Sequence, residues 1–401
     1  MRVGIIFHKD PFAPPAGIDL VRLRAIARGL MARGIETEII SPVEREGLIE
    51  DCIPVRKLTA LNRTRRYDLL KTSYHDSIRL VEGFRGPVVS RIVRVVDERL
   101  PERDEATRQG LLRCQAMIKE RASAVALNNK QNRVRWHAMY GDVPPTVLVP
   151  TGCPATIPQV PGNPFPDGEP AILFLGSLAA PRMVEMLNLA ARRLKRRARI
   201  HLVGLNKACM YGADATCTLD RLITDHGELP EPAIWGFIRH ATAGLALATG
   251  PHAFDNDMSK IVSYLRGGLP VLSEEPIVNN DLIRETGLGH TFGYGDVDGL
   301  VSAALELLAD PVVFGESDAP LSRTDHQNPG YRILEQPSAT RGSRPSWSFL
   351  RRGSPQDLRH RQAVMEFMVE CHSWERRVET YVELFDAILS GRPLTDAVEK
   401  R

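Results

Sequence analysis

The stretch Asn256-Asp-Met-Ser-Lys-Ile-Val-Ser-Tyr-Leu-Arg-Gly-Gly-Leu-Pro-Val-Leu272 holds the residues whose types and spacing most readily do chemistry. A polar loop, Phe254 to Ser259, runs into a helix that starts near Lys260 and carries Ile261, Tyr264 and Leu265 at core-facing spacing. Gly267-Gly268 and then Pro270 stop that helix and return the chain to the strand Val271-Leu272. A helix start presents backbone N–H groups without intrahelical partners, together with a partial positive charge. With Ser259 and Lys260 beside those groups, the turn could hold a diphosphate. The same pattern also fits an ordinary αβ unit of a parallel sheet.

The surrounding elements must position that turn. Arg2 to Phe7 reads as a strand buried on both faces, and the proline-rich stretch His8 to Gly17 as a loop. A helix from about Ile18 to Arg33, closed by Gly34, leads to a second strand, Glu36 to Ser41. This is a βαβ unit whose first loop lies where open parallel sheets bind ligands. It contains no Gly-x-Gly-x-x-Gly, so a dinucleotide fold of the dehydrogenase type loses its main support. Further strands are expected at Asp68 to Thr72, Pro87 to Val96, Ala122 to Asn128 and Thr146 to Pro150, with a helix at Asp104 to Arg121.

The proline- and glycine-rich segment 155–170 reads as a linker between a domain spanning 1–154 and a second spanning 171–314. The second restarts the alternation. Strands are expected at Ala171 to Gly176, Arg199 to Gly204 and Ala243 to Ala248, with helices at Pro181 to Arg196, Pro232 to His240 and Gly299 to Ala309. Residues 315–361 lack apolar periodicity and read as a mobile insertion. Residues 362–390 are helical again, with an apolar face that includes Phe367, Trp374, Tyr381 and Phe385, and 391–401 is a polar tail.

At 401 residues the chain exceeds one typical core, so two domains are expected. A net charge of +3 argues for neither nucleic acid nor membrane by itself, and nucleic acid is not an expected partner. No run of about 18 apolar residues exists, and the amino-terminal pattern is a strand, which makes the cytoplasm the expected location. Cys52, Cys114, Cys153, Cys209, Cys217 and Cys371 are scattered without zinc-ligand spacing, and read as buried or incidental thiols.

Five motifs in order resemble the GT-B glycosyltransferases, in particular the family 4 group. They are Ile172-Leu-Phe-Leu-Gly-Ser177, His201-Leu-Val-Gly204, Gly227-Glu-Leu-Pro230, Lys260-x-x-Ser-Tyr-Leu-x-x-Gly-x-Pro-Val271 and His372-Ser-Trp-Glu-x-x-Val-Glu-x-Tyr381. Pro15-Ala-Gly-Ile-Asp19, with the helix behind it, resembles the usual opening of those enzymes. The resemblance implies two Rossmann-like, doubly wound α/β domains facing a central cleft. The first would take the acceptor and the second the nucleotide sugar, with the C-terminal helices of 362–390 crossing back to the first.

One departure stands out. Where the family carries a pair of glutamates eight positions apart, this chain has Ser263 and Asp255. A serine cannot accept two ribose hydroxyls as a carboxylate does. The family 70 glucuronosyltransferases resemble this variant, with a Lys and a non-Glu polar residue at that spacing.

The implied activity is transfer of a hexosyl or glycuronosyl group, from a UDP-sugar, to a glycan or lipid-linked acceptor in cell-surface polysaccharide or glycoconjugate synthesis. A nucleotide- or glycan-binding protein that does not transfer, and a nucleotide-sugar epimerase, share the fold. The leaving diphosphate needs cations or helix amides around it, and no further cofactor. Gly17, Arg182, Lys207, Asp255, Ser259, Lys260 and Ser263 are the donor-site candidates. An inverting reaction also needs a base for the acceptor hydroxyl. Asp10, His75 and Asp97 are the catalytic candidates, with His8 and Asp19 nearby; His75 falls near the place where retaining relatives carry a functional His.

Asp255-Asn-Asp257 matches the Asp-x-Asp of metal-dependent transferases, but two α/β halves favour a polar loop, and no metal is expected. The run Arg192 to Arg199 fits a solvated helix end. The basic segment Arg56 to Lys71, with Arg63, Arg65 and Arg66, could rest on anionic lipid headgroups and bring a lipid-linked acceptor to the cleft from the inner face of the membrane.

Overall fold

The computed structural model describes residues 1–14, 17–61, 67–97, 105–159, 162–165, 169–208, 217–252, 257–309 and 355–394. Arg63, Arg65, Arg66, Asp255 and the insertion up to residue 354 lie outside them. The first lobe runs β1 (Arg2–Ile6), α1 (Ile18–Ala32), β2 (Glu36–Ser41), β3 (Gly47–Ile49), β4 (Ile53–Lys57), β5 (Leu69–Thr72), β6 (Val88–Ile92), α2 (Glu105–Arg121), β7 (Ala124–Leu127), α3 (Lys130–Tyr140) and β8 (Thr146–Leu148). Its described strands form one sheet in the order β3-β4-β2-β1-β5-β6-β7-β8, parallel except for the β3–β4 hairpin.

The second lobe runs β9 (Ala171–Leu175), α4 (Pro181–Leu194), β10 (Arg199–Val203), β11 (Ile223–Asp225), α5 (Glu231–His240), β12 (Ala243–Ala246), α6 (Ser259–Arg266), β13 (Val271–Glu274), α7 (Asn280–Thr286), β14 (Gly289–Phe292) and α8 (Val297–Ala309). Its sheet is parallel, in the order β11-β10-β9-β12-β13-β14. Among the parallel strands of each sheet the order reverses once, between β1 and β5 in the first lobe and between β9 and β12 in the second. Those are the switch points at which loops diverge and leave a crevice at the carboxyl ends of the strands.

Each sheet is buried on both faces, which is why its strands read as continuous apolar runs. In the first lobe Ile5 and Phe7 pack with α1, whereas Ile6 and Ile40 pack with Ile118 of α2 and Trp136 of α3. Two further helices, α9 (Pro355–His372) and α10 (Trp374–Leu389), divide between the lobes. Val364 and Met368 of α9 join the core beside α5 and α6, while Val378, Tyr381 and Phe385 of α10 join the core beside α1. The chain crosses over at Ser373, where Cys153 N–H donates to His372 O (2.9 Å) and Trp374 N–H to Cys153 O (2.9 Å). Gly152 makes room there, since a Cβ on it would fall 2.6 Å from the Trp374 ring.

Several boundaries differ from the sequence reading. The strand expected to reach Val96 ends at Ile92, because the amides of Val95 and Val96 donate instead to Asn132 Oδ1 (2.9 Å) and Gln115 Oε1 (2.6 Å). The helical stretch 362–390 is two helices, separated at Ser373, whose hydroxyl caps α10. The end of the expected insertion is helical from Pro355, and Arg361 is buried with its guanidinium donating to Gly268 O (3.3 Å). Polar composition hid that turn, whose Leu358 is exposed and whose Arg361 is held by a backbone carbonyl of the second lobe. The β3–β4 hairpin is also absent from the sequence reading.

Candidate active site at the interlobe cleft

The second lobe's share of the cleft is built at its switch point. Gly176, just past β9, has φ +89, and a Cβ on Gly204, just past β10, would fall 2.1 Å from Gly176 O. The two strand-end loops therefore lie closer together than any side chain allows. Helix α6 is pinned beside them by Tyr264, whose hydroxyl accepts from Leu175 N–H (2.8 Å) and donates to Leu173 O (2.9 Å). Gly244 of β12 makes room for that ring, because a Cβ there would stand 2.5 Å from it.

Lys260 follows Ser259 in the first turn of α6 and lies along the Gly176 loop, with its ammonium 3.6 Å from the Phe174 ring centroid. Among the described residues no carboxylate pairs with it. Surrounding protein lowers its pKa from 10.5 to about 7, although part of the residue still reaches solvent. An ammonium held against an aromatic face at a helix start is a receptor for negative charge. Lys207, in the loop after β10, has its backbone N–H donated to Leu178 O (3.0 Å), and so flanks the same 176–178 loop. Ser263, one turn along α6, donates only a long bond to Ser259 O (3.5 Å).

Arg182 opens α4, and its guanidinium is engaged within the lobe. It forks onto Glu274 and donates to Ala248 O, with Tyr294 stacked at 4.1 Å. Glu274 is fully buried at the end of β13 and also accepts from the amides of Ala248 (2.7 Å) and Gly295 (2.7 Å). This network holds the loop after β12 in place and takes up the Arg182 charge inside the protein.

On the first lobe, Gly17 caps α1 in an exposed position with open space around its Cα. Asp10 lies on the outer part of the β1 loop, where its carboxylate accepts from Phe12 N–H (2.9 Å) and is half exposed to solvent. His8, Tyr74 and His75 form an aromatic row across the switch point, with ring centroids 5.5 and 4.7 Å apart. His75 is buried, its Nδ1 has no partner, and burial lowers its pKa to about 4, so the ring is neutral at neutral pH. Asp97 lies in the loop after β6, and its carboxylate is ion-paired to Arg135 of α3.

The lobes meet at Asp257, on the loop that enters α6. Its carboxylate accepts from Asn128 (2.5 Å) and Asn129 (3.5 Å) at the end of β7, and from Asn279 (3.1 Å) of its own lobe. Burial raises its pKa, against the pull of Asn279 and of Arg91. Asp257 is thus occupied by amide donors, and its motif partner Asp255 lies outside the described residues.

Two buried cations were not among the site candidates read from the sequence. Lys71 of β5 and Arg91 of β6 are 2% and 1% exposed, on the face covered by α1 and α10. Their signal was available as a charge near the end of an otherwise buried strand. Burial of Lys71 also corrects the lipid-contact reading at that residue, since it cannot reach a headgroup. Arg56 of the same segment is paired with Glu38 (3.0 Å) and Glu46 (3.4 Å). Among the described residues, no helix is long and apolar enough to cross a membrane.

No protein-family profile matches the sequence, and no curated protein matches it. Solved structures do. Sucrose-phosphate synthase from Thermosynechococcus elongatus superposes with a TM-score of 0.69 at 14% identity, covering 97% of this chain and 99% of that one. HepE of Anabaena, in complex with UDP-glucose, gives 0.66 at 12% identity, covering 96% of this chain and 100% of that one. The catalytic domain of starch synthase IV from Arabidopsis thaliana, bound to ADP and acarbose, gives 0.61 at 10% identity, covering 97% and 99%. The fold is therefore GT-B, with two parallel-sheet α/β lobes.

Proposed function

We propose that this chain transfers a sugar from a nucleotide-activated donor to a hydroxyl-bearing acceptor. The carrying observation is Lys260, a cation without a carboxylate partner among the described residues, at the start of α6 and the switch point of the second sheet. A diphosphate placed there would meet the first-turn amides and the ammonium together, and its developing charge on sugar departure would be stabilised by both. Lys207, on the neighbouring loop, is the candidate for a second cation.

In this reading the second lobe, 171–314, holds the donor, and the first, 1–154, the acceptor. Closure about the Cys153–Ser373 crossover would exclude water and limit donor hydrolysis. Uridine is the base we favour, with a hexosyl or glycuronosyl group transferred to a glycan or lipid-linked acceptor of the cell surface. Support comes from the GT-B fold and from a structural neighbour of that fold that holds UDP-glucose. His75 is the proposed proton carrier, since its ring is neutral at neutral pH and sits at the first lobe's switch point.

Thermal-shift measurements against UDP-, GDP- and dTDP-sugars test the donor. Product analysis on the sugar that binds then separates transfer from epimerisation and from binding without turnover. Absence of a shift with any nucleotide sugar would remove the proposal.

A further inference from the structure

Four polar groups on one face of the first lobe are buried and left without hydrogen-bond partners among the described residues. Arg91 Nε and Nη1, the Ser73 hydroxyl and the Tyr381 hydroxyl make no bond, and their residues are 1%, 6% and 1% exposed. Lys71 lies among them, its ammonium 4.8 Å from the Tyr381 ring centroid. Neither Lys71 nor Arg91 has a carboxylate in ion-pair contact among the described residues. The carboxylates that act on Arg91 are engaged elsewhere, Asp257 by its three asparagines and Asp19 by Arg22 (2.6 Å) and Lys9 (3.1 Å).

Two neighbouring buried cations repel one another, and each loses hydration with no carboxylate in exchange among the described residues. Orphaned donors in a native interior call for a partner from outside the chain, an ordered water or an ion. We propose that this cluster binds an anionic group, a carboxylate or phosphate, so that one of the two substrates is itself an acid. An anion there would accept from the Arg91 guanidinium, the Tyr381 and Ser73 hydroxyls and the Lys71 ammonium at once. The place fits a substrate. Lys71 and Arg91 stand one residue before the carboxyl ends of β5 and β6, and Arg91 is within electrostatic reach of Asp257 at the interlobe contact. The inference rests on the transferase reading only in calling the ligand a substrate.

The test measures binding of inorganic phosphate and of glucuronate to the full chain at constant ionic strength, with chloride as the control. Saturable binding is expected, weakened at least tenfold in Arg91→Gln and in Lys71→Met, with UDP binding retained in both. Tyr381→Phe removes only an unpartnered hydroxyl, so it keeps the fold and should weaken the anion several-fold. No saturable binding beyond chloride, or equal affinity in Arg91→Gln and Tyr381→Phe, overturns the proposal. UDP binding without phosphate or glucuronate binding would sink this site alone, and the converse would sink the donor site alone. Phosphate that binds alongside UDP-glucose without weakening it assigns the anion to the acceptor. A preference for UDP-glucuronate over UDP-glucose, erased by Arg91→Gln, assigns it to the donor.

Discussion

Asp257 of the second lobe accepts a hydrogen bond from Asn128 of the first, so the two sheets are joined across the cleft at a buried carboxylate. Asn128 is itself fixed, donating to Val93 O (2.7 Å) and accepting from Asn132 (2.8 Å). Removing the amide in Asn128→Ala leaves a carboxylate oxygen short of a donor, which costs about 1–3 kcal/mol. The lobes should then separate more readily. Small-angle scattering should show a larger radius of gyration than for the native chain; identical curves and an identical Tm would show that this contact does not hold the lobes together.

Lys260 links stability to pH. Its pKa is lowered from 10.5 to about 7 by burial, so the fold disfavours the ammonium. That penalty is full below pH 7 and fades as the pH rises towards 10.5. Lys260→Met should therefore raise Tm, and by more at pH 6 than at pH 9. The same exchange should weaken UDP-glucose binding by about 1.5–3 kcal/mol at pH 7, the range for a charge-assisted hydrogen bond. Native affinity should fall above pH 7, by up to about tenfold per pH unit, because binding must then take up a proton. A flat affinity from pH 6 to 9 would place the diphosphate elsewhere.

Tyr264 and Gly244 form one packing unit. Tyr264→Phe deprives the Leu175 amide of its acceptor, an expected loss of about 1–3 kcal/mol in urea unfolding. Gly244→Ala drives a methyl to within 2.5 Å of the ring, a crowding that costs about 1–3 kcal/mol. Because both changes displace the same side chain, the double variant should lose less than the sum. Additive losses would mean that the two residues act separately.

Acid should unfold the protein early. His75, His201 and His372 each have a pKa lowered from 6.5 to about 4, in every case chiefly by burial. A base whose folded pKa lies below its unfolded one loses stability as the pH falls from 6.5 towards 4. Tm should drop across that window. His201→Gln should soften the fall, because the exchanged side chain cannot charge. A variant that tracks the native curve throughout would exclude His201 as a contributor.

The alternation of strands and helices was legible because parallel strands buried on both faces need continuous apolar runs, and the helices between them need an apolar stripe. Helix α6 is the clearest case, with Ile261, Tyr264 and Leu265 inward and Gly267-Gly268 as its stop. The break at Ser373 was not legible. Helix propensity runs through it, and only the docking of α9 and α10 on different lobes separates them.

Residue types and order by themselves determined the two-lobed α/β architecture and the helix start with Ser259 and Lys260, because periodicity and capping are local properties. Tertiary structure alone decided that Arg182 is spent on Glu274 and Asp97 on Arg135, while Lys71 and Arg91 stand without carboxylate partners among the described residues. The reason is physical. Whether a charge is neutralised depends on what the fold brings within a few ångströms of it, and those neighbours come from strands and helices far away along the chain.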